Sequence, residues 1–181
     1  RILSYDLETS ITNNSILCAA VWVEDMIDGS RRVYEYTGAE DLIMEQMTAM
    51  VREEDPDIIT GYNIDNFDFP RLVERMDHHT SRNQWQARSN LLGWGRTPHL
   101  ETECKRTRTG VLPRRQSNRA WNLAGRAIVD AWWQARQALR PQRETLSFIA
   151  RLLFPEDDDK QKIDIDASNM DEEWANRPDE V

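Results

Sequence analysis

The chain has 181 residues with 32 Asp and Glu against 23 Lys and Arg, a net charge of −9. One domain of this length buries about 70% of its unfolded surface and needs neither disulfides nor a structural metal; its two cysteines, Cys18 and Cys104, read as free thiols in a reducing compartment. No apolar run approaches the roughly 18 residues of a membrane helix and no cleavable leader pattern opens the chain, so a soluble, unsecreted, cytoplasmic protein with no membrane partner is expected.

From the N-terminus, the apolar Ile2-Leu3 leads a predicted strand over 1–7 that runs into Asp6 and Glu8. At period-2 spacing both carboxylates leave the same face, and two hard oxygen ligands then share one divalent cation. The run Ile16 to Val23 predicts a buried strand over 15–23, and a further strand is predicted over 31–36. Leu42, Ile43, Met47, Met50 and Val51 recur near the 3.6 period and predict a helix over 39–53, which Pro56 ends. Asp57-Ile58-Ile59-Thr60 predicts a short strand over 57–61, and a helix over 66–79 brings Asp68 in at its start as a third carboxylate.

Residues 80–118 are rich in Arg, Ser, Asn, Thr and Gly with weak periodicity, which predicts an irregular insertion. A strand then ends in Asp130, a helix follows over 131–139 with Trp132-Trp133 packing a core face, and a further helix runs from Thr145 through Phe154. The tail from 156 holds 11 acids against 3 bases and is expected to be exposed, or ordered only by partners.

Charge is unevenly spread. Residues 82–151 hold 14 Lys and Arg against 4 Asp and Glu, a basic island in an acidic chain. Its richest part, with Arg106, Arg108, Arg114 and Arg115 around a Gly and a Pro, reads as a hairpin or loop laid along phosphates, the plainer alternative being a solvated loop. Only 3 Lys stand beside 20 Arg and 32 acids, a composition that suggests a salt-adapted, halophile-like origin.

Three adjacent strands, a helix, a strand and a helix match the ribonuclease H-like order: a single α/β domain whose mixed sheet, an antiparallel meander plus parallel strands, is flanked by helices. Ser4-Tyr5-Asp6-Leu7-Glu8-Thr9 resembles the first motif of the four-carboxylate (DEDD) proofreading exonucleases. Tyr62-Asn63-Ile64-Asp65-Asn66-Phe67-Asp68-Phe69 resembles the second motif as it stands in family B DNA polymerases, archaeal ones in particular. Gly125 to Asp130 and Glu144 to Ala150 are weaker matches to the segments that follow there.

The resemblance implies a 3′–5′ proofreading exonuclease domain of a DNA-directed DNA polymerase, using two Mg²⁺ or Mn²⁺ ions about 3.5–4 Å apart. Asp6 would bridge both ions, Glu8 would bind the nucleophile's ion and Asp68 would hold the second through water. Asn63, Phe67 and the Thr9 backbone would contact the frayed 3′ terminus, Phe67 offering a ring to a base. The implied partners are a single-stranded 3′ primer end, the remainder of the polymerase chain and, through the full-length protein, a sliding clamp, in a nucleoid-associated setting.

The family's fourth carboxylate follows a Tyr or a His on a later helix, yet no Tyr follows Tyr62 and the last His is His99. With Arg1 opening directly into a strand, the chain is therefore expected to be a fragment that stops short of that helix and is weak or inactive alone. Two alternatives stand beside this reading: a stand-alone DNA or RNA exonuclease of the same superfamily, and a non-catalytic nucleic-acid-binding scaffold.

Overall fold

The computed structural model describes residues 1–97, 103–107, 118–155 and 165–181, with 103–107 and 118–120 as backbone. Its strands are β1 (Ile2–Thr9), β2 (Ile16–Glu24), β3 (Arg31–Thr37), β4 (Ile58–Gly61), β5 (Glu103–Thr107), β6 (Asn118–Asn122) and β7 (Ala127–Asp130). Its helices are α1 (Glu40–Glu54), α2 (Asp68–His79), α3 (Trp85–Leu92), α4 (Ala131–Leu139), α5 (Leu146–Leu153) and α6 (Met170–Asn176). The main sheet runs β3-β2-β1-β4-β7, with β5 and β6 as a separate two-stranded hairpin. β1, β2 and β3 pair antiparallel, whereas β4 joins β1, and β7 joins β4, in parallel. This is the ribonuclease H-like mixed sheet expected from the element order. Among the described residues no helix is long and apolar enough to cross a membrane.

β1 lies at the centre because it serves both faces. Leu3, Tyr5, Leu7 and Thr9 point into the core while Asp6 is exposed and Glu8 half-buried. A slip of one residue would exchange the two sets, so the alternation also pins the register. Against the apolar face of the sheet, α1 sets Ile43, Met44, Met47 and Val51, and α2 sets Phe69 and Leu72, all of them at most 1% exposed. Gly61 ends β4 where a Cβ would stand 2.6 Å from the Tyr5 carbonyl oxygen and 2.4 Å from Ile64 Cγ2. Only the absence of a side chain allows the chain to turn there so close to β1.

The predicted irregular insertion needs correction. It contains α3, whose Leu91 and Leu92 are buried, and just after it Trp94 stands 1% exposed with its Nε1 donating to Thr48 Oγ1 at 2.9 Å. α3 is a two-turn helix with little amphipathic pattern, so its periodicity could not stand out; docking on α1 decides it. The tail differs too. A 3-10 turn and α6 order residues 167–176, with Met170 3% exposed and Asp171 Oδ2 accepting from Thr12 Oγ1 at 2.6 Å. Net charge concealed this, because one buried Met and one carboxylate do the anchoring. Trp132 and Trp133 are half-buried rather than core: their rings meet at 4.6 Å, with the Arg136 guanidinium over both. The acidic run 156–159 lies outside the described residues.

Tyr5 is 3% exposed, its ring packed edge-on against Phe69 (5.8 Å) and Trp94 (5.3 Å), and its hydroxyl has no hydrogen-bond partner. Tyr5→Phe keeps the rings and deletes the unpaired hydroxyl. It is expected to stabilise the protein by about 1 kcal/mol, read from urea unfolding; a loss of stability would mean that the hydroxyl has a partner after all.

Candidate active site

The strand crossing that builds the site is local in origin. β4 pairs with β1 only as far as Ser4 and Thr60, so beyond that point β1 runs on past its parallel neighbour, and Asp6 and Glu8 stand at that free edge. The chain leaves β4 at Gly61, turns through Asn63 in the left-handed region (φ 65°), and enters α2 at Asp68. Asn63 earns its place as a turn residue: its carbonyl accepts from Asn66 and Phe67, and its side chain accepts from Asn66 Nδ2 at 3.2 Å.

Asp130, at the end of β7, clamps this turn. Its Oδ1 accepts from the Asn63 N–H (2.8 Å) and from Trp132 N–H (2.9 Å) as the cap of α4, and its Oδ2 accepts from the Asp65 N–H (3.1 Å). Tyr62 ties the same turn to the next segment by donating its hydroxyl to the Glu144 carbonyl at 2.5 Å. Trp121 stacks on Phe69 at 5.3 Å and donates to the Asp65 carbonyl at 2.9 Å. Sequence reasoning gave Asp130 no role; its clamp is a tertiary contact between residues 67 positions apart, and the strand-end acid before a helix was the available signal.

Asp68 is 1% exposed and its Oδ1 has no hydrogen-bond partner. Burial, then the nearby Asp6 carboxylate, push its acid up to about 8, against the pull of the N–H groups of Asp68 itself and Leu7; Asp130 adds to the rise. Asp65, also with an unpartnered buried Oδ1, is pushed up to about 7 by burial and by Asp130. On the strand beside them, Cys18 pairs across from Glu8 as a free thiol, and burial followed by the Glu8 charge raises it to about 11.

The structure therefore brings Asp68 within the field of Asp6 and sets Glu8 two residues along the same face. Thr9 follows where the β1–β2 register shifts, and is 8% exposed. Phe67, 42% exposed, presents its ring at the start of α2. Arg106 lies in β5, and Arg108, Arg114 and Arg115 lie outside the described residues. Among the described residues no three His, Cys, Asp or Glu form a ready-made metal cage. Mg²⁺ seldom uses one: it binds through one or two carboxylates, keeps several waters and takes substrate phosphate as a further ligand. A buried carboxylate oxygen without a partner, in the field of a second carboxylate, is an acceptor that a hard cation satisfies, so these residues fit such an ion.

The chain is similar to known proteins over most of its length. Residues 11–149 match the family described as DNA polymerase family B, exonuclease domain; the match takes in Asn63 to Asp68, while Asp6, Glu8 and Thr9 lie ahead of it. The DNA polymerase delta catalytic subunit of Drosophila melanogaster is 31% identical over 139 residues, which are 75% of this chain and 12% of that protein. DNA polymerase 1 of Pyrococcus abyssi is 42% identical over 43 residues, 24% of this chain and 6% of the relative. The family B DNA polymerase of the hyperthermophilic archaeon Pyrobaculum calidifontis shares the fold with a TM-score of 0.62 at 22% identity, over 98% of this chain and 21% of that one. The chain thus spans a minor part of each of these proteins.

Proposed function

This chain belongs to the exonuclease-domain family of the family B DNA polymerases, and from that membership we propose that it serves as a 3′–5′ proofreading exonuclease domain acting on single-stranded DNA ends. The observation that carries the reading is the buried Asp68 oxygen, left without a partner and opposed by Asp6, at the helix start that the second motif marks. Asp6, Glu8 and Asp68 would hold divalent cations, Mg²⁺ or Mn²⁺. When bound, such ions neutralise phosphate charge and lower the pKa of a water molecule.

The chain's own residues supply the rest. Phe67 stacks the terminal base, because any base has a ring face and proofreading must accept all four. Asn63 holds the turn that aims Phe67 and contacts the terminal nucleotide, and Thr9 adds a backbone contact where β1 ends. The basic stretch with Arg106, Arg108, Arg114 and Arg115 runs along the phosphates. In this reading the rest of a polymerase chain supplies a fourth carboxylate and nucleotide incorporation, and a sliding clamp acts through that larger protein.

The test is release of nucleotides from a 3′-labelled, mismatched primer by this chain and by its full-length gene product, with Mg²⁺ or Mn²⁺ against chelator. Cation-dependent 3′–5′ release by the full-length product that vanishes in Asp6→Ala bears the proposal out. Cleavage indifferent to cation or to Asp6, or none in either protein, overturns it.

A further inference from the structure

One charged side chain at the site stands outside both sequence motifs. Arg71 lies one turn beyond Asp68 on α2, with its guanidinium carbon 5.8 Å from the centroid of the Phe67 ring. Its Nη1 donates to Glu74 Oε2 at 2.6 Å, while Glu74 Oε1 accepts from Asn14 Nδ2 at 3.3 Å in the turn that follows β1. The Arg71 side chain is 18% exposed, and its Nε is buried with no hydrogen-bond partner. An i,i+3 ion pair on a helix surface would need none of this. Here the cation is held from one side by an aromatic ring and from the other by a carboxylate that itself accepts from Asn14 in the turn after β1.

We propose that Arg71 is a positioning residue that binds a backbone phosphate of the single strand whose base stacks on Phe67. A strand approaching Asp6, Glu8 and Asp68 in a chain of net charge −9 meets repulsion, and a pinned guanidinium supplies both the opposite charge and donors matched to phosphate oxygens. Base on Phe67 and phosphate on Arg71 would set the terminal nucleotide over Asp68, one helical turn away. This inference rests on the reading that single-stranded DNA enters the site, and adds to it a contact that discriminates a strand from a free base.

The experiment is binding of a fluorescently labelled oligothymidylate to the full-length gene product, by anisotropy in chelator across a salt series, for Arg71→Ala, Arg71→Lys and Phe67→Ala. Arg71→Ala is expected to weaken binding about tenfold at low salt and to lower the slope of log K against log salt by about 0.7, one phosphate contact. Arg71→Lys is expected to restore the slope, and Phe67→Ala to weaken binding with the slope intact. A merely structural Arg71 would lower the melting temperature and leave the slope unchanged. Normal binding and slope in Arg71→Ala overturn the inference while the proposed function stands; no binding by the unsubstituted protein overturns both.

Discussion

Asp68→Asn is expected to stabilise the protein by about 3–5 kcal/mol at pH 8 in the absence of divalent cations, and to weaken any stabilisation by Mg²⁺ or Mn²⁺ under the proposed function. The sign follows from the direction of the shift. A carboxyl raised from 3.8 to about 8 is more easily ionised in the unfolded chain than in the folded one. Its contribution to stability is therefore fully present below about pH 4 and lost as pH rises toward 8, and at 1.36 kcal/mol per unit a shift of this size reaches that magnitude. Asp65, raised to about 7, acts in the same direction over a narrower window.

The carboxylates held low by hydrogen bonds or ion pairs, among them Asp57 at about 2 and Asp171, act at lower pH, where stability falls as they are protonated. Asp65 and Asp68 are instead raised into the interval between pH 5 and 8. Calorimetric melting at pH 5, 7 and 8.5 should show the parent protein losing stability with rising pH and Asp68→Asn losing much less. Because protons compete with a cation for the carboxylate, under the proposed function a Mg²⁺-induced rise in melting temperature should grow from pH 6 to 8 in the parent protein and be smaller in the variant. Parallel pH slopes for the two proteins would sink the assignment of Asp68 as a buried, opposed acid.

Arg126→Ala should be among the most damaging single changes, costing about 3–5 kcal/mol in urea unfolding. The Arg126 side chain is 2% exposed and donates to the Trp94 carbonyl (2.6 Å), the Pro56 carbonyl (2.5 Å) and Asp55 Oδ1 (2.8 Å). It joins the end of α1, the start of β4 and the segment after α3 at one point. The next residue, Ala127, donates to the Asp57 carbonyl at 2.8 Å and opens β7, whose last residue is Asp130. Removing the guanidinium strands buried carbonyls and loosens the strand that carries the clamp on the Asn63 turn. Arg126→Lys keeps the charge but cannot reach three acceptors from one planar fork, so it should recover less than half of the loss. A cost below 1 kcal/mol for Arg126→Ala would mean that water replaces the network.

Where interactions are local, the sequence is readable. The alternation of Leu3, Tyr5, Leu7 with Asp6 and Glu8 specifies a strand and its faces, and the spacing of Ile43, Met47, Met50 and Val51 specifies α1, because period and burial act over a few residues. α3 and α6 escaped because each is short and docks through one or two side chains, a signal too small to rise above its polar neighbours. The same limit applies to Arg71, which reads as any helical Arg until Phe67 and Glu74 are seen around it.

The sequence by itself determined the order of the main-sheet strands with α1 and α2, the outward face of Asp6 and Glu8, and a motif that resembles the family's. Tertiary structure decided the rest: Asp68 in the field of Asp6, the Asp130 clamp and the Arg126–Asp55 pair each join segments some sixty or more residues apart in the chain. The reason is dielectric as much as geometric. A carboxyl group has its ordinary acidity in a flexible chain, and only the packing that removes its water and brings a second charge beside it makes it an acid poised near neutral pH.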